Sequence, residues 1–286
     1  MTTQVPRHAL ARADDDLGLE ALAEDADESI DDLEESPRMF NSALSANLTL
    51  AKARCQLDST AELLPTWEAW VAAMQVGSAM FAAATATEET VQCRIADKVR
   101  TIPATGPQYY TDANKWITAF WLAIICREQD RMTTLANVPI SALRESGAVF
   151  DEYVYAWIET LQTWWLRGGD LSTSLKAAID GTAPEELHNA DREEVLQVLY
   201  PPINLFFRFL LGDHQQFNTE LLKTLQWHKG YWTKNEDRAS SSAGLVALGP
   251  LAIACLAHDA GFPIEVESDY LPECLLNHSW RGEIDT

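Results

Sequence analysis

The chain has 286 residues, 47% of them apolar, which is enough to bury a real core. Its 43 acidic against 21 basic residues give a formal charge of −22. That balance argues against binding a phosphate backbone, because nucleic-acid binders present clustered Lys and Arg. It suits either a basic partner or a solvated surface with no partner.

The first dozen residues, MTTQVPRHALAR, lack the apolar stretch of a secretory signal, so a cytoplasmic protein is expected. From Asp14 to Ser36 the run DDDLGLEALAEDADESIDDLEES contains many carboxylates and no Lys or Arg. Leu17, Leu22, Ile30 and Leu33 recur there at loosely helical spacing, so a short amphipathic helix competes with a disordered tail. Residues 1–36 read as an acidic leader and residues 37–286 as a single α-helical domain.

MFNSALSANLTLAKARC (Met39 to Cys55) and PTWEAWVAAMQVGSAMFAAA (Pro65 to Ala84) return apolar residues every three or four positions, the period of a helix. Pro65 suits a first turn, where its missing N–H costs nothing. In TVQCRIADKVRTIP, residues 90–103, Val91, Cys93 and Ile95 alternate with polar residues before a polar turn, which predicts a β-hairpin. PATGPQYY then reads as a loop.

Beyond it the chain is helical. DANKWITAFWLAIICREQDRMTTLANV predicts a buried helix, a break near Arg127 to Gln129, and an amphipathic helix. PPINLFFRFLLGDHQQFNTELLKTLQWHKGYW has the same layout, turning at Gly212 and Asp213, with Phe217, Leu221, Leu222 and Leu225 on one face. The expected fold is mainly α, built of stacked antiparallel helical hairpins in the tetratricopeptide manner, although no strict period is present. Between the two hairpins, Tyr153, Trp157, Leu161 and Trp164 form a stripe that reads as core.

Chemistry is sparse. Cys55, Cys93, Cys126, Cys255 and Cys274 form no CxxC pair and read as reduced, mostly buried thiols. The six histidines match neither HExxH nor a zinc-ligand spacing, and no GxGxxG, GxxxxGK[ST] or GxSxG occurs, so no metal, cofactor or nucleophile is indicated. His258-Asp259 is a lone pair of the kind metal-dependent phosphohydrolases use. It also stands where a helix end would place it, before Gly261, Phe262 and Pro263.

That helix belongs to AGLVALGPLAIACLAHDAGFPIEVESDYLP. Its uncharged run from Ala243 to Ala257 is fifteen residues, short of the roughly 20 a membrane span needs. The following PIEVESDYLP reads as extended, with Ile264 and Val266 on one side and Glu265 and Glu267 on the other. Glu265, Glu267 and Asp269 read first as a solvated edge, and otherwise as an acidic contact strip or acid/base candidates.

YYTDANKWITAFWLAIICREQDRM, DEYVYAWIETLQTWW, LYPPINLFFRFLLGDHQQFNTELLKTLQWHKGYW and GLVALGPLAIACLAHDAGFPIEVESDYLP together resemble the immunity protein 49 family. The resemblance runs from about Met39 onward, leaves the leader outside, and involves no catalytic motif. It implies a non-enzymatic protein of a bacterial polymorphic toxin system that binds and neutralises a cognate toxin domain. An acidic binder fits a basic toxin, such as a nuclease. The candidate contact residues are the most concentrated carboxylates: Asp25, Asp27, Asp31, Asp32, Glu34 and Glu35 of the leader, with Glu265, Glu267 and Asp269. A helical scaffold with no toxin partner, and a hydrolase using His258 and Asp259, are the competing expectations.

Overall fold

The computed structural model describes residues 3–9 and 16–284. Residues 10–15, with the first carboxylates of the leader, and the side chain of Leu17 lie outside the described residues. The protein is mainly α, with two small two-stranded sheets among the described residues. The chain divides into two compact units, one of residues 16–149 with 278–284, the other of residues 3–9 with Phe150–Asn277. The strand β1 (Thr3–Gln4) belongs to the second unit.

In the first unit, α1 (Asp16–Asp31) carries Leu19, Ala26 and Ile30 on one buried face, continued by Leu33 in the 3-10 turn Asp32–Glu34. That face packs on α2 (Phe40–Leu57), where the buried Asn47 amide donates to the Ala26 and Ala43 carbonyls at 3.4 and 2.9 Å. The central helix is α3 (Leu64–Ala84), buried along nearly its whole length against α2, the hairpin and α4 (Ala113–Ile125). At Gly77 a Cβ would lie 3.2 Å from the Ala119 Cβ and 3.5 Å from Leu44 Cδ1, so a small residue lets these helices approach. The indole N–H of Trp70 donates to Cys55 Sγ and that of Trp116 to the Leu135 carbonyl, so neither polar atom is left stranded in the core.

The hairpin forms where alternation predicted it: β2 (Thr90–Ile95) pairs antiparallel with β3 (Lys98–Pro103), Ile95 opposite Lys98. Cys93, Ile95 and Ile102 face inward. The tight turn holds Ala96 at φ +57°, and its N–H donates to the buried Gln75 Oε1 at 2.8 Å. Asp112 caps α4 by accepting from Lys115 N at 2.9 Å. The chain breaks at Arg127, φ +58°, before α5 (Gln129–Ala136) and the short α6 (Ile140–Arg144).

In the second unit, α7 (Glu152–Leu166) packs on α8 (Leu171–Asp180). The stripe Tyr153, Trp157 and Leu161 is buried. Trp157 and Trp164 meet Phe206 edge-on at 5.3 and 5.4 Å, an arrangement favoured by the ring quadrupoles. The short α9 (Arg192–Glu194) runs into a π-turn at Val195–Leu199 and then α10 (Tyr200–Leu210). Pro201 and Pro202 have no N–H to donate into that preceding turn, which accounts for its wide form. After Gly212, φ +66°, comes α11 (His214–Trp232) with Phe217, Leu221 and Leu225 buried. Both expected hairpins exist. Their helices are 13 and 8 residues long in one and 11 and 19 in the other, so the layout is not a fixed-length repeat.

After α12 (Glu236–Ala239), the apolar segment forms a 3-10 turn and α13 (Leu248–Asp259). With its turn the helical segment Ser242–Asp259 reaches 18 residues at mean hydropathy 1.4, so the fifteen-residue count understates its length. Burial identifies it as core instead: Leu251 to Cys255 and Ala257 are fully enclosed. Its end is the expected one. Phe262 N–H donates to the Ala257 carbonyl and Gly261 N–H, φ +84°, to that of His258, both at 2.9 Å, with Phe262 folded into the core. Backbone therefore caps the helix, while the His258 ring lies on Asp259 at 3.3 Å. The strand β4 (Val266–Glu267) pairs parallel with β1, and α14 (Glu273–Leu276) follows.

Candidate interaction surface

The inner face of α1 is taken by apolar residues, so its carboxylates point outward: Asp25, Asp27, Asp31, Asp32, Glu34 and Glu35 are all exposed. Two of them have work within the unit. Asp31 pairs with the buried Arg100 at 2.9 Å, and Glu34 Oε1 accepts the Thr101 N–H at 2.7 Å, tying the leader to β3. The side chains of Asp25, Asp32 and Glu35 make no hydrogen bond or ion pair among the described residues.

The strip at Glu265, Glu267 and Asp269 lies in the other unit, and the chain's own N-terminal residues already pair with it. Thr3 and Val5 N–H groups donate to the Glu265 and Glu267 carbonyls at 3.1 and 3.0 Å. Gln4 Nε2 donates to Glu267 Oε2 at 3.1 Å, and Arg7 N to Asp269 Oδ2 at 3.4 Å. Asp269 is half-buried, whereas Glu265 and Glu267 remain exposed. Nearby, the buried Tyr270 hydroxyl meets His8 Nδ1 at 2.8 Å, and burial pushes the Tyr270 phenol up.

A feature with no counterpart in the sequence reading is a cleft of about 720 Å³ in the 16–149 unit, between α1, α2, α3 and the hairpin turn. Its charged lining is Asp27, Arg54, Glu68, Arg94, Asp97 and Glu283, set against an apolar wall that includes Leu50, Leu64 and Ala69. Arg54 stands in the last turn of α2, where a cation is favoured by the helix dipole. Its Nε is buried and has no hydrogen-bond partner among the described residues. Leu64 lines the cleft and is 44% exposed, and in the same connection between α2 and α3 Leu57 and Leu63 are 55 and 60% exposed. In sequence Arg54 looks like an ordinary helix-terminal cation; only the folding of three other elements around it makes the cleft.

The perturbed ionisable groups serve the fold. Burial would push the Asp151 carboxyl up, but hydrogen bonds from the Ala190, His188 and Asn189 N–H groups and the Asn189 side chain outweigh it and hold it below the usual range. Lys52 is buried in α2, and desolvation lowers its ammonium to about 8. Among the described residues no three His, Cys, Asp or Glu side chains gather where they could hold a metal ion. His258 and Asp259 belong to no such group among the described residues. Four of the five cysteines are buried.

No curated protein and no solved structure matches the chain. A family model described as Immunity protein 49 matches residues 56–275, from the last turn of α2 to α14, and so spans most of both units.

Proposed function

From the premise that this chain belongs to the Immunity protein 49 family, we propose that it binds a cognate toxin domain in the cytoplasm and blocks it without doing chemistry. The family match is the observation that carries this reading; charge supports its finer part. A surface at −22 favours a basic toxin, a nuclease being one such class, because opposite fields speed encounter and penalise wrong partners. The exposed carboxylates that the fold leaves unengaged, Asp25, Asp32 and Glu35, are the residues best placed to steer it. Steering of this kind acts over about 10 Å at 0.1 M salt, so it shows in the association rate and its salt dependence.

The test is co-expression. Toxin-like proteins recovered with the tagged protein from its native host, or encoded beside it, are expressed with and without it, and growth is compared. Rescue of growth by the wild-type protein is the expected result. If every toxin-like protein so recovered kills equally well in its presence, at matched expression, the immunity reading falls.

A further inference from the structure

We propose that residues 3–8 form a strap that holds the edge of β4 only while the His8 ring is neutral, so that mild acid releases it. The proposal goes beyond the immunity reading and depends on no partner. Release leaves the Glu265 and Glu267 carbonyls without the strand that now pairs with them, and takes the Arg7 N–H away from Asp269.

The strap is attached mainly through backbone atoms. Beyond the rungs to β4, Ser268 Oγ donates to the Val5 carbonyl at 2.6 Å and Lys229 Nζ of α11 to the Pro6 carbonyl at 2.8 Å. The Arg7 guanidinium donates to the Leu245 and Asp269 carbonyls at 3.3 and 3.4 Å. Val5 is its one buried apolar side chain, so the segment has no apolar face to hold it if these bonds weaken.

His8 closes the strap. Its backbone N–H donates to the Tyr270 hydroxyl oxygen at 3.2 Å, and its ring Nδ1 lies 2.8 Å from the same atom. The oxygen already takes the backbone N–H, so the hydroxyl gives its own proton to Nδ1 and the ring hydrogen sits on Nε2. There Nε2 is enclosed, with no hydrogen-bond partner among the described residues. A second ring proton has no place in this arrangement: Nδ1 can no longer accept from Tyr270, and Nε2–H still finds no acceptor.

The surrounding charges oppose the imidazolium as well. Arg7 stands beside it in the strap and Lys229 faces it from α11. On the β4 side the carboxylates are Glu265, Glu267 and Asp269. Glu267 Oε2 is taken by Gln4 and Asp269 Oδ2 by the Arg7 N–H. The remaining titratable neighbours are Tyr270 itself and His228 of α11, whose ring stands edge-on to Tyr270 at 4.9 Å and whose Nε2 donates to the Gly244 carbonyl at 2.9 Å. Burial first, then Arg7 and Lys229, hold the docked His8 below its ordinary 6.5. A group whose docked value is lowered supports docking fully above 6.5, loses that support as the pH falls through 6.5, and levels off below the docked value. One such proton can weaken docking by at most about thirtyfold between about pH 7.5 and about pH 5.

Hydrogen exchange of the full-length protein at those two pH values, corrected for intrinsic rates, reads the protection of the Thr3 and Val5 amides, with the amides of α13 as the reference. Wild-type protection at Thr3 and Val5 is expected to fall at least about fivefold in acid while α13 holds. His8→Asn puts an amide oxygen in place of Nδ1 as acceptor and does not titrate, so its protection should change by less than about twofold. Unchanged protection in the wild type, an equal loss in His8→Asn, or a loss shared by α13 overturns the proposal. If His8→Asn leaves the strap unprotected even at the higher pH, an NMR titration of the wild-type His8 ring decides. A Cε1–H midpoint below 6.5 that coincides with shifts of the Thr3 and Val5 amides supports the strap; a midpoint at or above 6.5, or amides that do not follow it, overturns it.

Discussion

Replacing Asp151 with Asn should destabilise the protein by about 3 kcal/mol. The carboxylate is 5% exposed and accepts from His188 N, Asn189 N and Asn189 Nδ2 on Oδ1 at 2.9 to 3.0 Å, and from Ala190 N on Oδ2 at 3.0 Å. Asparagine has one acceptor oxygen. It can keep the Oδ1 set in weaker, uncharged form, but it turns an N–H toward Ala190, leaving two donors facing each other. One hydrogen bond to a charged group is worth about 1.5–3 kcal/mol, and a stranded buried donor costs about 1–3 kcal/mol more. Urea unfolding at pH 7 measures the difference, and hydrogen exchange at residues 188–190 should localise it. Because the folded carboxyl is held below its usual 3.8, its contribution is complete above about pH 4 and is lost as the pH falls through the lower folded value. The gap between wild type and variant must therefore narrow in acid. A variant within about 0.5 kcal/mol of wild type at pH 7, or a gap that widens below pH 4, would refute the reasoning.

Asp31→Asn and Glu34→Gln should each cost about 1 kcal/mol in thermal or urea unfolding, because the bonds from Arg100 and the Thr101 N–H then go to a neutral amide oxygen instead of a carboxylate. Asp25→Asn, Asp32→Asn and Glu35→Gln should stay within about 0.5 kcal/mol of wild type and act instead on the salt dependence of toxin association. Gly244→Ala should lower stability by about 2 kcal/mol by calorimetry, since the new Cβ would sit 2.6 and 2.7 Å from Cγ and Cδ2 of the Trp232 ring. Lys52 titrates near 8 in the folded protein and near 10.5 unfolded, so the unfolded chain holds its proton more firmly in between. Wild-type stability should accordingly rise relative to Lys52→Met between pH 8 and about 10, as pH-dependent urea titrations will report.

What could be read from the sequence was set by local rules. The hairpin at Thr90–Pro103 announces itself through alternation around a two-residue turn, and the end of α13 through Gly261, Phe262 and Pro263, each of which fixes its own backbone. The leader left two outcomes open because its charge favours one state and its apolar spacing the other. The deciding surface, α2, lies outside it. Asp151 precedes a helix and would locally be taken for its cap, yet its side chain reaches residues 188–190. The cleft was illegible for the same reason: it belongs to no segment. Of the nine candidate carboxylates, the sequence could not separate Asp31 and Glu34, which hold β3, from Asp25, Asp32 and Glu35, whose side chains hold nothing in the described structure.

The pairing of Thr3–Gln4 with Val266–Glu267 also constrains how the molecule is made. Partners 263 residues apart cannot meet until the later one has left the ribosome, and at about 5–20 residues per second that takes tens of seconds. During that interval the chain up to Val149 has been synthesised, while residues 3–9, made before their partners, wait for a strand not yet translated. Residues 3–9 are thus fixed only after their late partners appear, and a bulky fusion placed before Thr3 would burden that closure.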